Sequence, residues 1–372
     1  MIKVTEKLEA VNNGGIEAFT FKTTFLIKNS ELDISYYTDN KPSTNKYDSE
    51  LAALGRRLTV TSAETKGFGK LVKKLRLWRS FSRFCKGQGV AAAHIHMSDP
   101  LDIIEGMAAS AAGAKQVILH SHSGGRVGIG VFKKLAFSVC RMLSGSRKYK
   151  LLACSEAAGR FMFGRNDFTV VRNGVDTGKL SYDPELRRNE RDRLGISDSF
   201  AVGNVGRLCG NKNQSFLLDV FAELMKLREN SVLVIAGDGE LSESLKQKAN
   251  ALGISDKVMF LGAVDNVSPL YQALDCFVFP SLSEGLGIAA VEAQTAGLVT
   301  VCSDGVPRET GITDLCSFMP LSASPKEWAE HIISRTSEYE RKSFADEVRA
   351  AGYDIKDTAK QLEKIYLSLA EE

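Results

Sequence analysis

Residues Cys276–Gly297 read CFVFPSLSEGLGIAAVEAQTAG. The first five are an apolar run of the kind that forms a buried strand, and from near Gly287 the pattern is that of a helix. Between them lies a short loop with Glu284 and two glycines. The neighbouring stretches repeat this scheme. AVGNVG precedes QSFLLDVFAELMKL, VLVIAG precedes ELSESLKQKANALG, VMFLG precedes NVSPLYQALD, and LVTVCS follows. Short β-rich runs alternating with helices of about ten residues or more specify βαβ units and a parallel sheet covered on both faces. From about residue 200 the chain therefore reads as a Rossmann-like domain.

The first half carries the same alternation less cleanly. Strands are expected in IKVTEKLEA, LDISYYT, VAAAHIH, KQVILHS, KLLACS and FTVVRN, with helices after Gly14, around 69–86, over 100–113, over 126–143 and after Ser155. Thr5, Glu6 and Lys7 interrupt the first strand where a buried central strand should be apolar. A length of 372 residues suits two domains better than one. The expectation is an α/β protein of two doubly wound, Rossmann-like domains whose strand ends face a shared cleft: residues 1–185, residues 186–352, and a C-terminal helix, 353–372, packing back on the first. The polar segment Asp176–Asp198 is the expected linker. Ligands of such sheets bind outside the carboxyl ends of the strands.

Composition narrows the class. With 44% hydrophobic and 25% charged residues and no low-complexity tract, the chain is that of a globular protein. Its seven cysteines are scattered and never spaced Cys-x-x-Cys, which suggests neither a disulfide framework nor a zinc ribbon and fits a reducing cytoplasm. No signal peptide and no apolar run of spanning length is visible. The net charge of +3 conceals two basic blocks without acids, Lys66–Gly87 and Arg126–Lys150.

The loop after CFVFP suggests a chemistry. The first turn of a helix has unpaired N–H groups and the positive end of the macrodipole, so it holds an anion such as phosphate. Glycines let the backbone approach closely. Gly285, Leu286, Gly287 and Ile288 would form this cradle. A carboxylate early in the helix, Glu292, can accept both hydroxyls of a ribose, and Glu284 can hold hydroxyls of another sugar.

Glu-x7-Glu with EG-x-G-I after a strand resembles the C-terminal half of the GT-B glycosyltransferases, in particular the retaining family-4 group that includes capsule and exopolysaccharide transferases. NVGRLCGNKN is similar to that family's GRL-x-x-x-K-N segment, which implies that Arg207 and Lys212 neutralise the donor diphosphate. VIAGDGEL, FLGAV and SDGVPRE match as well; the likeness is specific over 200–308 and looser before it. It implies that Gly14 and Gly15 in NNGGIEAF form the glycine loop near the donor phosphates, and that His122 in LHSHSGG faces the reacting sugar. His120 should point to the same side of its strand. The family has a proline where this chain has Arg172.

The implied reaction is transfer of a hexose from a nucleotide-diphosphate donor, expected to be a UDP-sugar, to a lipid-linked or other saccharide acceptor in surface polysaccharide biosynthesis. No metal or other cofactor is expected, because the chain lacks Asp-x-Asp and fixed cations can stabilise the departing diphosphate. Two alternatives stand beside it: a nucleotide-sugar epimerase of the same architecture, or a non-catalytic nucleotide-sugar binder. A metallohydrolase reading rests on His94, His96, His120 and His122 as two His-x-His pairs. It lacks further ligands, since the remaining histidine is His331. His96 and Asp99 are instead expected to edge the cleft or cap the next helix.

The segment GFGKLVKKLRLWRSFSRFCKG sets Phe68, Leu71, Leu75, Trp78, Phe81 and Cys85 near one helical face among cations. That is the pattern of an interfacial helix attracted to anionic lipid, or of a domain helix with a basic outer face. No nucleic-acid module is recognisable. The expected location is the cytoplasm, peripheral on the inner face of the cell membrane, with a polyprenyl-diphosphate-linked acceptor.

Overall fold

The computed structural model describes residues 1–11, 14–42, 46–61, 70–123 and 131–368, and for 70–74 and 131–133 the backbone alone. The chain divides into two units, Met1–Gly174 with Ile355–Glu372, and Val175–Asp354.

The first unit runs β1 (Ile2–Leu8), α1 (Gly15–Thr24), β2 (Leu32–Thr38), α2 (Asp48–Ala53), β3 (Leu58–Val60), α3 (Lys70–Gln88), β4 (Ala92–Met97), α4 (Ile103–Ala111), β5 (Gln116–Ser121), α5 (Val131–Ser144), β6 (Tyr149–Ala153), α6 (Glu156–Phe163) and β7 (Thr169–Val170). The strands pair in parallel in the order β3-β2-β1-β4-β5-β6-β7. Order reverses between β1 and β4, the point where doubly wound sheets bind ligands. β1 is central despite its polar residues: Thr5, Glu6 and Lys7 are all essentially inaccessible to solvent. Alternation sends Lys7 to one face, where its ammonium meets Asp39 at 2.6 Å and Glu105 at 3.7 Å, and Glu6 to the other. Burial alone would lower the Lys7 pKa, but the two carboxylates outweigh it and raise it. β3 and α2 escaped the sequence reading because Leu58–Val60 is too short to show a period.

The second unit contains α7 (Thr177–Leu180), α8 (Pro184–Leu194), β8 (Phe200–Val205), α9 (Gln214–Leu227), β9 (Ser231–Ala236), α10 (Ser242–Ala251), β10 (Val258–Gly262), α11 (Ser268–Ala273), β11 (Cys276–Phe279), α12 (Ile288–Thr295), β12 (Val299–Ser303), β13 (Cys316–Met319), α13 (Pro325–Thr336) and α14 (Ala345–Ala350). Its parallel sheet has the order β10-β9-β8-β11-β12-β13, with the switch between β8 and β11. Trp328, Phe221, Leu217 and Ile235 are fully buried in its core. A Cβ on Gly237 would stand 1.9 Å from the Gly206 carbonyl oxygen, so only glycine lets the turns after β8 and β9 meet.

The boundary between the units falls at 174/175, not at 185/186, and the return at 354/355, not at 352/353. The reason lies in the segment expected to be a linker. Asp183 caps α8 with its side chain and Pro184 occupies the first turn. Arg187 and Arg191 then bind Asp275 at 2.5 and 3.1 Å. The polar residues of 176–198 are thus structural ties to the second unit. α15 (Ile355–Leu367) belongs to the first unit and buries Leu362, Ile365 and Tyr366 there.

Candidate functional site

In the second unit the loops that follow β8 and β11 meet. Asn211 donates to the Ser283 carbonyl at 2.6 Å, and its own carbonyl accepts from the Leu282 amide at 2.8 Å. Asn213 turns the chain with φ 55°, a left-handed conformation that asparagine tolerates, and starts α9. This brings Lys212 to Glu284, Nζ to Oε1 at 2.7 Å, with both side chains largely buried. The ammonium also lies 4.7 Å from the centre of the Phe279 ring. Arg207 is elsewhere on the loop, mostly exposed, and paired with Glu240 at 3.1 Å.

Gly287 precedes α12 with φ 86°, and no side chain caps that helix. A glycine is needed there, since a Cβ would press on Phe279 at 3.0 Å as well as demand a strained backbone. Leu286 is buried and fixes the loop, with its carbonyl accepting from the Thr310 hydroxyl. Gly285 and Ile288 are partly exposed on either side. Glu292 sits one turn into α12 and accepts from the hydroxyl of Tyr271 at 2.9 Å. Burial, reinforced by Glu292, pushes the Tyr271 phenol well above its usual pKa, so it stays protonated and donates. Lys212, Glu284, Gly285, Leu286, Gly287, Ile288 and Glu292 therefore lie together at the carboxyl edge of this sheet. Tyr271, which holds Glu292, and Asn211, which ties the two loops through Leu282 and Ser283, were not found from the sequence.

In the first unit Gly14 and Gly15 open α1 without a side-chain cap. On the same face of the sheet is a closed set of polar residues. Glu6 on β1 neighbours His94 on β4, and His96 neighbours His120 on β5. His122 continues the ladder, its amide donating to the Met97 carbonyl at 3.0 Å. Glu6 Oε2 lies 2.8 Å from His96 Nε2 and 3.1 Å from His94 Nδ1. Its other oxygen accepts from the Tyr366 hydroxyl at 2.5 Å. Burial by itself would raise the Glu6 pKa; His94 and His96 overcome it and hold the carboxyl far below the usual range. Burial, with the neighbouring rings, lowers His96 to about 4 and holds His120 and His122 well below their ordinary value.

His96 therefore does not edge an open surface, contrary to expectation; it is buried between Glu6 and α1. Asp99 does cap, accepting from the Leu101 amide in a reciprocal box with Asp102. The carboxylate that a histidine cluster needs was present as Glu6, and its intrusion into an apolar strand was the signal. His94, His96 and His120 bring a ligand atom each within 4.8 Å of one another. The hydrogen bonds to Glu6 and Tyr366 occupy His94 and His96 without an ion. His331 belongs to the second unit, where it bonds to Ser317 at 2.9 Å.

Two Rossmann-like parallel sheets of this order define the GT-B fold class. The comparisons agree. Residues 187–345 match the family described as glycosyl transferases group 1. The chain named glycosyltransferase EpsF of Bacillus subtilis (strain 168) is 29% identical over 98% of this chain and 96% of its own. The capsular polysaccharide biosynthesis glycosyltransferase CapH of Staphylococcus aureus is 25% identical over 99% of both. A crystal structure of Anabaena Alr3699/HepE in complex with UDP-glucose superposes with a TM-score of 0.78 at 18% identity, covering 99% of this chain and 100% of that one. The second unit is thus similar to the group 1 glycosyltransferases, and nearly the whole chain to proteins named as glycosyltransferases.

Proposed function

We propose that this glycosyltransferase of polysaccharide biosynthesis is a retaining enzyme that moves a hexose from a UDP-sugar to a lipid-linked saccharide, without a metal ion. The observation that carries the reading is the Lys212–Glu284 pair beside the uncapped start of α12. A diphosphate placed at the helix start gains its N–H groups and dipole, and Lys212 is within one side-chain movement of it. These fixed positive groups, with Arg207, stabilise charge as it develops on the leaving phosphate, the role a divalent cation has elsewhere. Glu292 accepts the ribose hydroxyls, and Glu284, once Lys212 turns to phosphate, accepts those of the donor sugar. The departing phosphate takes the acceptor's proton, so His122 binds the sugar and is not the base. A relative of the same fold bound to UDP-glucose supports the choice of donor.

The acceptor reading rests on surface charge. α3 turns Arg76, Arg79, Arg83 and Lys86 outward, and α5 exposes Leu135, Val139 and Met142 at helical spacing beside Lys134 and Arg141. Cations around an exposed apolar strip suit an anionic membrane and a diphosphate-linked lipid. No helix among the described residues is long and apolar enough to cross a membrane. Incubation of the protein with radiolabelled UDP-sugars and a membrane extract, with and without chelator, tests the whole reading. Lipid-extractable label that survives the chelator is expected. Label in an altered free UDP-sugar would replace transfer with epimerisation, no product would leave only binding, and loss of product with chelator would end the metal-free mechanism.

A further inference from the structure

The buried histidines of the first unit have hydrogen-bond partners that fix where their protons lie. Glu6, held ionised, can only accept, so the His96 Nε2 facing it at 2.8 Å must carry a proton. Thr20 gives independent support. Its hydroxyl proton goes to the Ile16 carbonyl at 2.9 Å, and its oxygen therefore accepts from the same His96 Nε2 at 3.2 Å. A neutral imidazole protonated at Nε2 is bare at Nδ1. The His96 Nδ1 lies 2.9 Å from His122 Nε2, which must then be the donor. His122, neutral in its turn, is left with a bare Nδ1. That atom is buried and has no hydrogen-bond partner among the described residues. The His122 ring is fixed in the remaining directions by Phe19, 5.3 Å away, and His120, 4.2 Å away.

We propose that Glu6 and His96 are positioning residues for His122: through the chain Glu6–His96–His122 they select its tautomer and present Nδ1 as a hydrogen-bond acceptor, the partner of a hydroxyl group. Given the transfer reaction proposed above, that hydroxyl belongs to the donor sugar. The direction of the chain decides the chemistry, because the opposite tautomer would offer an N–H and select a ligand that accepts. A protonated His96 would impose that opposite state by donating from both nitrogens, so the two arrangements can be told apart.

The first measurement needs no activity. Long-range 1H–15N correlation spectra of the intact protein at neutral pH, with assignments from single His→Gln variants, should show both His96 and His122 protonated at Nε2 and bare at Nδ1. A His122 protonated at Nδ1, or exchanging between tautomers, overturns the proposal. So does stoichiometric zinc in the purified protein that shifts these signals on removal by chelator. The second measurement is kinetic. His96→Leu should leave affinity for UDP unchanged, release His122 into a tautomer mixture and lower kcat/KM for sugar transfer roughly tenfold to hundredfold, by analogy with loss of the outer partner of a metal-ligating histidine. A folded His96→Leu protein with normal turnover would show that the chain positions nothing. A protein that transfers no sugar at all would remove the donor hydroxyl from the argument and leave the tautomer result to stand or fall by itself.

Discussion

Lys212 shows how a single residue is used twice. In the free protein it neutralises Glu284 and lies against Phe279, so neither charge is buried alone. In the mechanism proposed above that pair separates, each partner exchanging for a part of the donor. Lys212→Ala should therefore lower kcat by about 10²–10³-fold, the loss typical of one preorganised group at a developing anion, whereas Glu292→Ala should act mainly on affinity for UDP. Steady-state kinetics with isothermal titration of UDP separates the two; equal effects of both variants on kcat alone would contradict the division of roles. The charged and glycine residues of this loop were legible in the sequence because each has a special backbone or charge requirement. Asn211 was not, since its task is to tie two loops that meet only in the fold.

Elements built on a regular apolar period could be read directly, and those built on polar burial could not. β8 to β12 alternate cleanly with their helices because each strand is covered on both faces. β1 breaks the pattern, yet it lies inside its sheet between β2 and β4, since Glu6 and Lys7 find partners on opposite faces. The charges of α8 read as those of a tether with little to bury, yet Arg191 is almost wholly enclosed. α3 divides the expected stripe. Phe81 and Cys85 are buried with Leu77, Leu75 is exposed, and Phe68 and the side chain of Leu71 lie outside the described residues. Its inner face is thus a domain core, and the apolar strip facing outward is on α5. Two variants should lose sedimentation with anionic liposomes: Lys73→Glu with Lys74→Glu and Arg76→Glu on α3, and Leu135→Glu with Met142→Glu on α5. Unchanged sedimentation of both would reject membrane contact through these helices.

The molecule as a whole should be sensitive to mild acid. His96 titrates near 4 when folded and near 6.5 when unfolded, so between those values the unfolded chain binds a proton that the folded one refuses. Stability must then fall as pH falls from about 6.5, by up to about 1.4 kcal/mol per pH unit for each histidine held neutral. His120 and His122 act in the same direction. Glu6, with its pKa depressed, adds stability above its unfolded pKa near 4.5 that is lost on further acidification. Calorimetry from about pH 7.5 down to about 5 should show a falling Tm; a flat profile would contradict neutral burial of the histidines. The same cluster sets a timetable for synthesis. Glu6 leaves the ribosome well ahead of the phenol that completes its hydrogen bonds, Tyr366, which follows 360 positions later. At about 5–20 residues per second the delay is roughly 20 to 70 s. Throughout it the nascent first unit holds an unfinished polar centre, while the intervening unit, contiguous in the chain, is free to fold ahead of it.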